Sequence, residues 1–182
     1  MAHVEPAEAA LAERLTRVRA RIAAAAERSG RASEEVTLIA ISKTHPSAVV
    51  SKLIELGATD IGENRVREAE EKITEVGRDK ARWHLVGHLQ ANKARRAVNL
   101  FDVIHSLDSI DLARRLDRLC VEEGREKLPV LIQVDLGHEE TKSGIDETEL
   151  EQLVESLRSL ERPQLIGLMT LPPFFEDPEH GR

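Results

Sequence analysis

Tyrosine is absent from this 182-residue sequence, and aromatic side chains make up only 2% of it. No phenol is therefore available as an acid or a base. There is a single cysteine, Cys120, so no intramolecular disulfide can form, which fits a reducing cytoplasm. Cys120 lies at helical spacing from Leu112 and Leu116 and reads as a small buried hydrophobe. No apolar run approaches the roughly 20 residues that a membrane-spanning helix needs. The first residues, MAHVEPAEAALAERL, have neither a basic region nor an apolar one, so no secretory signal is expected. Positive charge is in deficit: 26 Lys and Arg against 33 Asp and Glu give a net charge of -7, which argues against a general nucleic-acid binder. Flexible linkers and low-complexity tracts are missing too. What remains, 41% hydrophobic and 32% charged, suits one globular domain with a substantial core.

Two patterns alternate along the chain. Leu11, Leu15, Val18 and Ile22 recur at three- and four-residue steps and predict a helix over about 7–29. From residue 36 onward, short apolar runs alternate with helical stretches. The runs are VTLIAI, ATDIG, RWHLVG, FDVIHSL, PVLIQVDL and QLIGLMTL. VTLIAI reads as a strand buried on both faces. Helices are expected over PSAVVSKLIEL, around Val66–Val76, from about Gln90, from Asp108 with Asp111 at its third position, and from Asp146 with Glu149 three residues on. Gly57 and Gly124 mark helix ends. One helix followed by six strands and five crossovers implies an α/β fold with a parallel sheet. A doubly wound sheet and a (β/α) barrel both fit, although a full barrel has eight strands. Pro172 and Pro173 stop the last strand, and a polar tail occupies 174–182.

In either architecture the chemistry belongs at the C-terminal ends of the strands. Those ends carry Lys43 and Thr44, Glu63 and Asn64, His84 and His88, His105 and Ser106, Asp135, and Met169 with Thr170. Five polar strand ends in succession favour a shared pocket, although loops are polar in general. Lys43 follows the apolar LIAIS run. In a dry pocket its ammonium would be disfavoured, and the neutral amine would be a nucleophile for aldehydes. Alternatively, it reaches a carboxylate such as Glu63. Both readings stand at this point. Other motifs are weak. HEETK has Lys142 where a zinc-binding helix needs a second histidine, and His84 and His88 lie four apart on a strand-to-loop segment rather than a helix. ETKSG lacks the glycines of a phosphate loop, and NKARRA (92–97) reads as a solvated basic face.

AISKTHP, GENRVREAEEKI, WHLVGHLQANK, IHSLD, TKSGI and GLMTLP occur in the order seen in the pyridoxal phosphate homeostasis proteins, also called proline-synthetase co-transcribed homologues. The resemblance spans about residues 36 to 172. It implies a TIM-type (β/α) barrel of the fold-type III PLP class, like the N-terminal domain of alanine racemase, with about six of the eight strands present. Further, it implies that Lys43 holds pyridoxal 5'-phosphate (PLP) as a Schiff base, with Asn64, His84 and Met169 on strand ends facing the cofactor. Ser106 and Lys142 are secondary candidates, Lys142 matching a family lysine after the fifth strand. Many relatives carry a second lysine where this chain has His45. The family's seventh and eighth strands, which bind the phosphate and face the pyridine nitrogen, have no counterpart here, so the chain reads as a truncated single barrel domain over 1–182.

The function so implied is a non-catalytic, cytoplasmic PLP carrier in vitamin B6 homeostasis, with PLP-dependent apo-enzymes as possible acceptors. Two other readings are open. One is a racemase-like or Schiff-base enzyme. A racemase of the related barrel class takes a tyrosine from a second domain as its base, and this chain has neither. The other is a remnant that binds PLP weakly. With six strands, the first and last have open edges, so the chain is expected to be unstable alone or to be completed by another chain.

Overall fold

The computed structural model describes residues 5–136 and 143–171. Helix α1 (Glu5–Arg28) precedes six strands: β1 (Ile39–Ile41), β2 (Asp60–Glu63), β3 (Arg82–Leu85), β4 (Val103–Leu107), β5 (Leu128–Val134) and β6 (Pro163–Thr170). Between them run α2 (Ser47–Glu55), α3 (Val66–Val76), α4 (Ala94–Leu100), α5 (Ile110–Glu122) and α6 (Leu150–Leu157). All pairings are parallel, in the order β1-β2-β3-β4-β5-β6.

That order decides between the two architectures. Right-handed crossovers that always step to the next strand place every helix on the same face of the sheet, as in a barrel. A doubly wound sheet must reverse direction once. The helices accordingly pack on their sequence neighbours, α2 on α3, α3 on α4, α4 on α5 and α5 on α6. No pairing joins β6 to β1 among the described residues, so the barrel wall is open.

The core lies between sheet and helices. Ile61, Trp83, Leu85, Ile104, Val130 and Ile132 meet Val50, Ala69, Ile73, Val98, Leu116 and Leu153, all buried. Cys120 is among them, and burial pushes its thiol pKa up. The first strand differs from its expected burial on both faces. β1 is half-exposed, with Ile41 at 44%, and Ile166 and Leu168 of β6 are each 55% exposed. An apolar run cannot distinguish a strand inside a sheet from one at its edge, because coverage depends on neighbours. In α1, Leu15 is buried but Val18 is exposed. This helix is tied on by Arg19, which donates to the Leu56 and Gly57 carbonyls just past α2 (3.1 and 2.6 Å).

Helix starts are displaced by a residue or more where capping chemistry wins. Ser109, not Asp108, caps α5, its hydroxyl accepting from the Leu112 amide at 3.3 Å. A short 3₁₀ turn at Ala91–Lys93 precedes α4. Asp146 caps the 3₁₀ turn that leads into α6 by accepting from the Thr148 amide (2.9 Å). The segments entering β3, β4 and β5 are locked together. Arg78 grips Asp102 through two bonds of 2.9 and 2.6 Å, Asp102 accepts from the Trp83 amide (2.7 Å), and Arg125 donates to the Phe101 carbonyl (2.5 Å). This is the N-terminal face, where barrels carry stability rather than chemistry.

Candidate functional site

Strand alternation sorts the strand-end residues into two groups. Register pairs Ile39 with Asp60, Ile41 with Gly62, and Gly62 with His84. A Cβ on Gly62 would meet Ile41 Cδ1 at 2.5 Å, Ile39 Cγ2 at 3.1 Å and Val86 Cγ1 at 3.5 Å, so these residues share the face away from the helices. Ile61, Trp83 and Leu85 occupy the helix face. By the same period of two, Ser42 and Glu63 belong to the helix face as well. Glu63 is fully buried there, accepting from the Ser42 hydroxyl and from Lys72 of α3 (2.6 Å). Glu63 is therefore no member of a pocket with Asn64, and it is not the partner of Lys43.

Lys43 is exposed and makes no hydrogen bond or ion pair among the described residues. It lies two residues past β1, at the second position of a tight turn closed by the His45 amide donating to the Ser42 carbonyl (3.0 Å). The third position, Thr44, has φ +67°, where such turns favour glycine. A β-branched residue there costs on the order of 1–3 kcal/mol and persists only where its surroundings enforce it. Those surroundings are α3 side chains. Lys72 donates to the Ser42 carbonyl (2.6 Å), and Glu68 accepts from the Thr44 amide (2.6 Å). Lys72 and Glu68 also pair with each other at 2.8 Å. Burial alone would raise the Glu68 pKa, but the Lys72 hydrogen bond, the Thr44 amide and the nearby cations outweigh it and hold the carboxyl below its ordinary value.

Asn64 follows β2 and is half-buried. The loop after β3 runs directly against it. A Cβ at Gly87 would stand 2.3 Å from the Asn64 carbonyl oxygen, so only glycine permits this approach. His84 sits deeper on the same face in a chain of three side chains. Its Nε2 is 2.9 Å from Asp60 Oδ1, and its Nδ1 is 2.9 Å from His105 Nε2. Burial outweighs Asp60's attraction and lowers the His84 pKa, while burial and the neighbouring His84 lower that of His105 to about 4. Asp60, despite burial, is held below its usual value by the Thr59 hydroxyl and His84. With Asp60 ionised and both rings neutral, His84 Nε2–H donates to Asp60 and His105 Nε2–H donates to His84 Nδ1. Both His84 nitrogens are thus occupied. The ring can supply a wall to this site but no free donor.

Ser106 is turned by an irregularity in β4. Ile104 pairs with Val130 and Leu107 with Ile132, and all four belong to the helix-side core. Three steps where two are regular means one extra residue, a bulge that re-aims the His105–Ser106 pair. Ser106 is fully buried and its Oγ has no hydrogen-bond partner. On β6, Met169 pairs in register with Gln133 of β5, and both lie on the face away from the helices. Gln133 is buried with an unpartnered Oε1, while its Nε2 donates to the Ser143 carbonyl. Thr170 ends β6 and pairs with Val134. His88 is exposed and bonds Asp108 (3.1 Å), apart from the His84 chain. Lys142 and the HEETK histidine lie outside the described residues. In the basic helix, Arg95 pairs with Glu122 and Glu123, and Arg96 with Glu70, as a solvated face would. Among the described residues no cluster could hold a metal ion, and no helix is long and apolar enough to cross a membrane.

Two groups escaped the reading of the sequence, Lys72 and the Asp60–His84–His105 chain. Lys72 had a signal: it falls on the inward stripe of α3 with Ala69, Ile73 and Val76, four residues after Glu68. Of the histidine chain, His84 and His105 are legible as polar strand ends, but Asp60 and the links among the three have no local signal, since they come from three strands.

Residues 14–181 match the family model for the alanine racemase N-terminal domain. The pyridoxal phosphate homeostasis protein of Escherichia coli (strain K12) is 40% identical over 168 residues, covering 89% of this chain and 70% of that protein. Its namesake from Aquifex aeolicus is 38% identical over 170 residues, covering 93% of this chain and 74% of the relative. Among solved structures, PipY of Synechococcus elongatus with PLP bound superimposes with a TM-score of 0.79 at 37% identity, over 93% of this chain and 74% of that one. Alanine racemase of Clostridium difficile gives 0.67 at 17% identity over 81% of this chain and 41% of its own, a likeness of fold alone. On the family model and these identities, the chain belongs to the pyridoxal phosphate homeostasis proteins, a family built on the alanine racemase N-terminal barrel.

Proposed function

We propose that this chain binds pyridoxal 5'-phosphate in intracellular PLP homeostasis and that Lys43 is its covalent attachment point. One observation carries the reading. Lys43 is a solvent-accessible primary amine without a partner, on a loop whose backbone is fixed on both sides, at the C-terminal end of the first barrel strand. When bound, the cofactor would supply an aldehyde, with which the Lys43 amine could condense with loss of water.

The residues present fit such a group. Ile39 and Ile41 of β1, the strand that leads into the Lys43 turn, lie on the face of His84 and Met169. The buried, unpartnered Ser106 hydroxyl can donate and accept. Met169 and the His84 ring provide apolar surface, and Asn64 closes the site from the β2 end. On the helix side of the lysine loop, Glu68, Glu71 and Glu75 line a shallow cleft with His45 and Lys72, and because Lys72 is already paired with Glu63 and Glu68 the carboxylates there disfavour a phosphate. The cofactor therefore belongs on the other face. Lys142 remains a secondary candidate in the loop after β5.

In this reading the chain holds and hands on the cofactor without turning over a substrate, with PLP-dependent apo-enzymes as acceptors in the cytoplasm. The absence of tyrosine and the homeostasis names of its relatives support the non-catalytic role. The test is borohydride reduction of the protein mixed with PLP, followed by peptide mass mapping. The pyridoxyl mass is expected on Lys43 and lost in Lys43→Ala. An adduct confined to other lysines, or none, overturns the assignment. Measurable racemisation or transamination of amino acids by the loaded protein would overturn the carrier role.

A further inference from the structure

We propose that Lys72 and Glu68 of α3 are positioning residues that hold the Lys43 loop in the one conformation that presents its amine. The inference rests on Lys43 being the attachment point and goes beyond it by naming what fixes that lysine in place. Lys43 itself has no partner, so its own side chain cannot set where the amine starts from. The two peptide groups flanking it can. The Ser42 carbonyl, before it, receives the Lys72 ammonium at 2.6 Å, and the Thr44 amide, after it, donates to the Glu68 carboxylate at 2.6 Å. The ion pair between Lys72 and Glu68, at 2.8 Å, makes the two grips one unit.

This unit is anchored from below. Lys72 is 5% exposed and also bonds Glu63, which is fully buried and accepts from the Ser42 hydroxyl. The four side chains Ser42, Glu63, Glu68 and Lys72 thus join β1, β2 and α3 around a single residue that none of them touches with its side chain. The Thr44 backbone at φ +67° is the counterpart of this clamp. A threonine relaxes out of the left-handed region unless held, and the Glu68 bond to its amide is the hold. Placing both grips on a helix rather than on a loop gives the lysine the rigidity of the barrel wall.

Glu68 can be altered with little risk to folding, since it is part-exposed whereas Lys72 and Glu63 are buried. The experiment compares the parent, Glu68→Ala and Glu68→Gln by three readouts: borohydride-trapped pyridoxyl on Lys43 after brief exposure to PLP, hydrogen exchange of the Thr44 amide, and thermal melting. In Glu68→Ala, trapping on Lys43 is expected to slow at least about fivefold and Thr44 exchange to accelerate at least about tenfold, with the melt nearly unchanged. Glu68→Gln keeps an acceptor oxygen and is expected to recover most of both. The proposal is overturned if the parent is trapped at Lys43 and Glu68→Ala is trapped equally fast, or if Thr44 exchange does not respond. A parent trapped only at other lysines instead overturns the attachment reading, and the role of the clamp falls with it.

Discussion

Lys72 and Glu63 form a buried ion pair in which one carboxylate oxygen, Oε2, has no hydrogen-bond partner. Such a pair gives little net stability against an apolar replacement, but removing one half is expensive because the other charge stays buried. Lys72→Met is therefore expected to destabilise the fold by about 3–5 kcal/mol, measured by urea unfolding. Adding Glu63→Gln to it should recover part of that loss, and a double variant as unstable as the single one would contradict this account. At His105 the relevant quantity is pH. Its folded pKa of about 4 lies below the ordinary histidine value of 6.5, so the unfolded chain takes up the proton first. Stability is thus unaffected above about pH 6.5 and falls as pH drops from there towards 4, by roughly 3 kcal/mol in total. His84, also lowered, adds to the same slope. Urea midpoints across that window are expected to decline in the parent and to decline less in His105→Gln.

Among the elements, the loop after β3 is the one whose sequence leaves least choice. Gly87 passes so close to Asn64 that any Cβ would overlap backbone atoms, which cannot rotate away as a side chain could. Gly87→Ala is expected to cost about 1–3 kcal/mol and to displace the Asn64 loop. Chemical-shift changes at Asn64 together with slower trapping of PLP would report it. Wild-type behaviour on both counts would show that the two loops are not coupled. The bulge in β4 acts at the same scale, since it turns the Ser106 hydroxyl without changing the composition of the strand.

For the whole molecule, the open wall matters most. β1 and β6 each have a free edge among the described residues, and Ile41, Ile166, Leu168 and Leu171 are 44–55% exposed beside them. Unpaired strand edges with apolar side chains invite pairing with another chain. The chain is expected to self-associate in a concentration-dependent way in sedimentation experiments, and Ile166→Lys with Leu168→Lys should weaken that association. A monodisperse monomer with a cooperative melt would count against it.

The sequence by itself determined the number of strands and their alternation with helices along the chain, because apolar runs and helical stripes are local signals. It also located Lys43 at a strand end, and Cys120 in the core. It could not choose between a barrel and a doubly wound sheet, which differ only in where successive strands go, and the sequential strand order settled that. Nor could it tell Glu63 from Asn64: they are adjacent in the chain, but the pleat sends Glu63 to the helices and to Lys72. The Asp60–His84–His105 chain and the grip on the Lys43 loop are likewise tertiary, since each joins residues 9 to 30 positions apart. Short-range periodicity reports which face a residue needs to bury. Only the packed sheet decides which partner it meets there.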